Sequence, residues 1–464
     1  MQQHQIHLLE VSIQDVQQIR NVVLFGHGNS GKSALAEALL FTAGSLKRLG
    51  KVDEGTSSMD FEPEEIKRKI SIGAAFNQLA WQKKDVFLID TPGDDNFFNE
   101  TRFAAQVADS AILTVGAVLG VRAQTEKFVD LIKDNNLPCL ICVTKMDRER
   151  ANFQKTVDGI REATGLNPVV LYLPIGAEEN FKGVVDILAN KALMFTDGGK
   201  ATVADVPADL AAEVASLRDN LMEYVAETDD ELIEKFLEEG ELTEEELKAG
   251  LSAAIQNARL APVCACASLV NQGSSVVLDA IVNLLPSPDQ RPARIGIHPK
   301  TKAEVERPGV ADAPFSALVF KTMADPFAGR LTIFRVFSGT LKGDAFYNAS
   351  KGTAERFGQM YIMAGKEQKP VDQAIPGMVV AVAKLKETTT GDTLCEEANP
   401  IIYPMVEPLP PVIAYAVSAK KGDEEKLFSS ITRLLDEDLT LKLTRDQQTH
   451  ETLISGVGQV HLEV

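Results

Sequence analysis

The run Gly26-His27-Gly28-Asn29-Ser30-Gly31-Lys32-Ser33 constrains this chain more than any other feature. It follows the apolar stretch Asn21–Phe25 and precedes the helix-forming Ala34–Phe41. A strand, a tight glycine loop and a helix start in that order make the pattern specific for phosphate. Glycines let the backbone wrap an anion, and the free N–H groups at the helix start, Ala34 included, point toward it. Lys32 is placed to reach the β- and γ-phosphates of a nucleoside triphosphate, and Ser33 to ligate Mg²⁺. A glycine turn that binds nothing is the bland alternative, and the flanking strand and helix argue against it. Kinases and ATPases fit this loop equally well.

At 464 residues the chain has room for about three domains. Candidate strands Asn21–Phe25, Asp85–Ile89, Ala111–Val115, Cys139–Thr144 and Val263–Ala267 alternate with amphipathic stretches. That alternation predicts an α/β domain with a mostly parallel sheet over 1–290. It carries an insertion at about 158–260, whose second half is acidic and helical, with the capping pattern Thr243-Glu244-Glu245-Glu246. A Pro-containing linker covers 291–310. Short β runs with Gly and Asp turns then predict a β-barrel over 311–402. Residues 403–464 read as part of an α+β domain, with a strand at Val412–Val417 and a helix at Glu424–Glu437. An α+β domain needs its whole sheet to close a core, so the chain reads as an N-terminal portion.

The formal charge of −19 argues against indiscriminate binding to nucleic-acid backbone, while leaving local docking open. No apolar run reaches the roughly 18 residues of a spanning helix, and no signal-peptide pattern is present. The polar first twenty residues are expected to fray. Five cysteines read as reduced core thiols in a cytoplasmic protein, because Cys139/Cys142 and Cys264/Cys266 lie in strand-like runs without ligand-spaced partners.

Asp90-Thr91-Pro92-Gly93 ends the second candidate strand. A carboxylate there can hold a Mg²⁺-bound water, and the Gly93 N–H can meet a γ-phosphate. Thr144-Lys145-Met146-Asp147 ends another. The Asp147 carboxylate can accept from guanine N1–H and the N2 amine together, and the Lys145 stem can cover the base. Cys266-Ala267-Ser268 follows the last strand, where the Ala267 N–H is expected to read guanine O6.

These runs together resemble bacterial elongation factor G, the translational GTPase family that moves tRNA and mRNA through the ribosome. The likeness continues through Asp325-Pro326-Phe327, Phe334–Leu341, Thr388–Cys395 and Ile454–Glu463. It implies a P-loop GTPase domain with a helical insertion, a translation-factor β-barrel and part of a ferredoxin-like α+β domain. It also implies GTP and GDP as ligands, and Mg²⁺ held by Ser33, Ser71 and Asp90. The implied partners are ribosomal RNA and stalk proteins, with the acidic insertion as a candidate contact, and the implied state is a monomer away from membranes.

The chain departs from the family around the γ-phosphate. A His normally follows Asp-Thr-Pro-Gly, and here Asp94 stands. A carboxylate can accept from the attacking water, but it adds negative charge where charge already gathers. The first switch has Arg68-Lys69-Ile70-Ser71 where the family has Arg-Gly-Ile-Thr. Asn29 replaces an Asp associated with a monovalent cation, and Thr144 replaces an Asn that ties its loop to the P-loop. These changes resemble divergent elongation-factor-G-like paralogues. The expected catalytic set is Lys32, Gly93 and Asp94, with hydrolysis weakened and ribosome-dependent. A GTP-dependent ribosome-binding regulator with little turnover is the alternative. His27 reads as facing the ribose or solvent, and His461 and Trp81 as structural.

Overall fold

The computed structural model describes residues 15–325, 329–420 and 422–464. Residues 1–14 of the stretch expected to fray, and Pro326-Phe327, lie outside these. Fraying stops earlier than expected, because Val16–Gln18 forms a capped turn and Ile19 and Arg20 already belong to the first strand.

In chain order, strand β1 (Ile19–Phe25) leads to α1 (Lys32–Thr42) and the short α2 (Pro63–Arg68). Then come β2 (Ala75–Trp81), β3 (Lys84–Asp90), α3 (Phe98–Val107), β4 (Ser110–Gly116), α4 (Ala123–Asp134), β5 (Cys139–Thr144), α5 (Phe153–Thr164) and β6 (Pro168–Val170). An insertion follows as an antiparallel meander of β7 (Tyr172–Ile175), β8 (Gly183–Asp186), β9 (Lys191–Phe195) and β10 (Ala201–Ala204). Helices α6 (Ala211–Ala226), α7 (Asp230–Glu239) and α8 (Glu244–Gln256) complete it, before β11 (Ala261–Ala265) and α9 (Ser274–Leu284). The meander carried no strong alternation in the sequence. The acidic helices did carry their signals: Asp229 caps α7, and Thr243 and Glu246 form the capping box of α8.

The main sheet has seven strands in the order β2-β3-β1-β4-β5-β11-β6, parallel except where β2 pairs with β3. Every residue of β1 is buried, as a parallel strand covered on both faces requires. Val22 and Leu24 pack with Leu35, Leu39 and Ile281, while Val23 and Phe25 pack with Ala105 and Phe128. The predicted last strand, Val263–Ala267, shifts to Ala261–Ala265. Its chain turns early because Ala267 pairs with Gln272 in an isolated bridge. The five cysteines are buried and free, and Cys142 Sγ lies 3.3 Å from Cys266 Sγ.

Beyond a small hairpin comes an eight-stranded antiparallel sheet, whose strands include Ser316–Asp325, Gly329–Ser338 and Val379–Ala383. It shares one continuous apolar core with the α3 and α4 face of the main sheet, from Phe25 and Ala104 through Val319 to Val382. The last part is a three-stranded antiparallel sheet, Ile413–Val417, Thr452–Gly456 and Lys442–Arg445, with α10 (Glu424–Glu437) and α11 (Gln459–Glu463).

One buried ion pair joins the first two bodies. Arg335, in the barrel and only 2% exposed, donates to Asp109 Oδ2 at 2.6 Å and also to Val107 O. Arg294 donates to Ala108 O at 3.1 Å and covers the Phe337 ring at 4.7 Å. The end of α3 is thus clamped by guanidinium groups. Arg335→Met leaves the Asp109 charge buried without its partner, and the expected loss is about 3–5 kcal/mol of unfolding free energy. Denaturant titration measures it, and pairing the change with Asp109→Asn is expected to recover most of that loss.

Candidate functional site

The loop from Gly26 to Gly31 runs between β1 and α1. Gly26 has φ 149°, and a Cβ there would stand 2.4 Å from Thr114 Oγ1 and 2.6 Å from Thr114 O. Gly31 takes φ 97° at the start of α1. Only glycine accepts both conformation and crowding at these positions. A cleft of about 680 Å³ opens over the loop. Gly28, Asn29, Gly31, Lys32, Ser33, Ala34, Ser71, Gly93, Asp94, Lys145 and Asp147 all line it. Gly26, His27, Ser30, Asp90, Thr91, Pro92, Thr144, Cys266, Ala267 and Ser268 are buried behind that surface.

Several of these have specific tasks. The Thr144 hydroxyl donates to Ser30 O at 2.5 Å, so the threonine ties its loop to the P-loop. The Thr91 hydroxyl donates to Leu24 O at 2.7 Å and pins the end of β3 against β1. Lys32 Nζ donates to Gly26 O at 2.8 Å and His27 O at 3.3 Å. Gly93 lies directly on the P-loop: its carbonyl accepts from Gly28 N at 3.0 Å, and a Cβ on it would meet Lys32 Nζ at 2.4 Å. A side chain is therefore excluded at the point where this segment faces a terminal phosphate.

Three expectations change. The His27 ring does not face the ribose or solvent. It is 4% exposed, Nδ1 meets Gly28 O at 2.5 Å, and burial, with the Lys32 charge nearby, lowers its pKa. The Ala267 N–H, expected to read guanine O6, is donated to Gln272 O at 2.9 Å. Leu269 and Val270 are the residues of that loop that line the cleft. Asp94 turns away from a reactive position: its Oδ1 accepts from Asn96 N at 2.8 Å and Asn96 Nδ2 at 2.6 Å, capping the turn Asp95–Phe97.

The structure also adds residues. Asp60 is 3% exposed and lines the cleft beside Lys32 and Ser71. No spacing pattern marked it in the acidic stretch Asp60–Glu65. Neither carboxylate oxygen of Asp90, nor Oδ2 of Asp60, has a hydrogen-bond partner, and Ser33 Oγ stands 3.3 Å from Ser71 Oγ. Burial, reinforced by Asp60, pushes Asp90 up to about 7. Unpaired buried carboxylate oxygens beside two hydroxyls form an all-oxygen donor set that fits a hard divalent cation. Lys51–Glu54 closes another side of the cleft. His461 is structural in its contacts, with Nε2 2.6 Å from Asp438 Oδ2 and its ring edge-on to Phe97. Trp81 donates to Asp279 Oδ1 at 2.7 Å.

Known proteins match this arrangement domain by domain. The Elongation factor Tu GTP binding domain family matches residues 17–287, Elongation factor G domain 2 matches 314–397, and Elongation Factor G, domain III matches 409–464. A protein of known crystal structure from Thermus thermophilus superposes with a TM-score of 0.86 at 31% identity. The match covers 96% of this chain and 65% of that one. The chain belongs to the family of translational GTPases with the elongation factor Tu GTP-binding domain, and its run of domains is of the elongation-factor-G type.

The switch segment after Asp60 has its own support. Glu65 Oε1 accepts from Ile72 N at 2.9 Å and Gly73 N at 3.3 Å. Burial, with the Asp60 carboxylate nearby, raises Glu65 from 4.5 to about 7. A raised carboxyl pKa means the fold favours the protonated acid, so this stabilisation is full below 4.5 and is lost as pH climbs through about 7. In the nucleotide-free chain, amide-exchange protection at Ile72 and Gly73, corrected for intrinsic rates, is expected to fall between about pH 5 and about pH 8. Glu65→Gln is expected to flatten that dependence.

Proposed function

We propose that the chain binds GTP and GDP with Mg²⁺ and acts on the ribosome as an elongation-factor-G-type GTPase with slow turnover. Lys32 and the amides of Gly28 to Ala34 hold the phosphates. Ser33, Ser71, Asp90 and Asp60 hold the cation, which supplies charge neutralisation at the β- and γ-phosphates when bound. Asp147 and Lys145 take the guanine, and the amide of Ser268, next after the occupied Ala267 N–H, reads O6. Asn29, exposed at φ 63°, is a candidate ligand for a monovalent cation beside the phosphates.

The observation that carries the slow-turnover reading is the Asp94 side chain, which caps its own turn through Asn96. A group so occupied does not orient a water, and a carboxylate brought nearer would oppose the charge of the transition state. Gly93 is the other constraint. Its carbonyl bonds to Gly28 N, so a γ-phosphate that recruits the Gly93 N–H must turn this peptide over. Such a peptide turn reports triphosphate to the rest of the chain whether or not hydrolysis follows. The same observation favours a second reading, a GTP-dependent regulator of the ribosome. In either case the site of action is the cytoplasm, with ribosomal RNA and stalk proteins as the partners.

Single-turnover hydrolysis of GTP with and without ribosomes tests this. Asp94→His is expected to raise the ribosome-stimulated rate by at least ~10-fold without changing GDP affinity. A wild-type chain already as fast as its histidine variant would remove the case for weakened hydrolysis.

A further inference from the structure

The segment that brings Ser71 to the metal site continues as Ile72-Gly73-Ala74 into β2, and carboxylates hold its backbone in sequence. Glu65 takes the amides of Ile72 and Gly73. Glu100, on α3, takes the next one, with Ala74 N donating to Oε2 at 2.9 Å. That same oxygen is ion-paired to Lys321, which belongs to the barrel strand Ser316–Asp325. Both side chains are largely withdrawn from solvent, at 13% for Lys321 and 23% for Glu100. The packing leaves little slack, since a Cβ on Gly73 would stand 3.1 Å from Lys321 Nζ.

From this chain of contacts we infer that Lys321 is a positioning residue for the Ser71 hydroxyl, acting through Glu100 and the Ala74 amide. The inference rests on the reading of Ser71 as a Mg²⁺ ligand in the triphosphate complex. An ammonium fixed on one carboxylate oxygen restricts the rotamers of Glu100, so the acceptor for Ala74 N stays where the segment needs it. Two further barrel contacts to β2 support a direct role for this domain. Gly365 N donates to Phe76 O at 2.8 Å, and the Phe76 and Phe320 rings meet edge to face at 5.5 Å. The barrel therefore fixes β2 itself, and Lys321 carries that fixity two residues upstream toward Ser71. Ser71 matters for GTP, whose γ-phosphate shares the cation, and not for GDP. The role of Lys321 is thus selective for the triphosphate.

The test compares affinities for GDP and a non-hydrolysable GTP analogue over a Mg²⁺ titration. Lys321→Met is expected to weaken the GTP analogue about tenfold and raise the Mg²⁺ needed for its binding, leaving GDP nearly unchanged. Lys321→Arg is expected to restore most of the difference, because it keeps the charge on Glu100. In the metal-free chain, Lys321→Met is expected to speed amide exchange at Ala74. Should the single change fail to fold, Lys321→Met with Glu100→Gln leaves no unpaired charge and carries the same expected selective loss. Equal losses for both nucleotides, no loss at all, or unchanged exchange at Ala74 would each overturn the inference. Ser71→Ala separates the two levels. If it weakens the GTP analogue selectively and Lys321→Met does not, only the role of Lys321 fails. If Ser71→Ala has no selective effect, the ligand reading fails and the inference falls with it.

Discussion

The backbone from Asp94 to Asp109 is the piece on which the other parts of the molecule depend, because polar side chains from every body converge on it. Asp109 is paired to Arg335 of the barrel, at 2% exposure on each side. Glu100 binds Lys321 of the barrel and the Ala74 amide of the switch. Asn99, Arg102 and Gln106 bond in order to Leu409 N, Glu407 O and Val406 N, so one face of α3 carries the joint between the barrel and the last sheet. Phe97 lies against His461 of α11. These bonds satisfy buried backbone groups that would otherwise lack partners, which makes the arrangement costly to shift piecemeal.

This geometry explains how one phosphate contact can matter far from the nucleotide. Gly93 lies at the start of the segment and touches both Gly28 N and the region of Lys32 Nζ. A change in its peptide acts directly on Asp94–Phe97, and α3 then transmits displacement to the joint at 406–409. Interfaces held by discrete hydrogen bonds favour alternative arrangements over gradual deformation. The switch near Ser71 is held from a separate direction, through Glu65 and Glu100, so the two halves of the site share a common support without sharing a chain segment.

Much of the frame was legible in the sequence for definite reasons. The P-loop, Asp90–Gly93 and Thr144–Asp147 each follow an apolar strand, and a buried parallel strand leaves a continuous signal. The caps of α7 and α8 were visible because capping chemistry is local. Other features were not legible because their partners are remote. The meander β7–β10 is short and weakly alternating. Asp60 is one acidic residue among several until the fold buries it beside Asp90. The early end of β11 follows from the Ala267–Gln272 bridge, and the burial of His27 from the packing of Lys32 and its neighbours.

Local chemistry by itself determined that this chain wraps phosphate at Gly26–Ser33 and can select guanine at Asp147. Those tasks need only a strand, a turn and a few donors at fixed spacing. Tertiary structure alone decided which carboxylates remain unpaired around Ser33, that Asp94 is spent on Asn96, and that Lys321 stands behind Ser71. Each depends on which groups the fold brings within hydrogen-bond reach, whether 221 residues apart, as with Lys321 and Glu100, or 2 apart, as with Asp94 and Asn96. Sequence spacing carries no record of such choices, whereas packing and burial impose them.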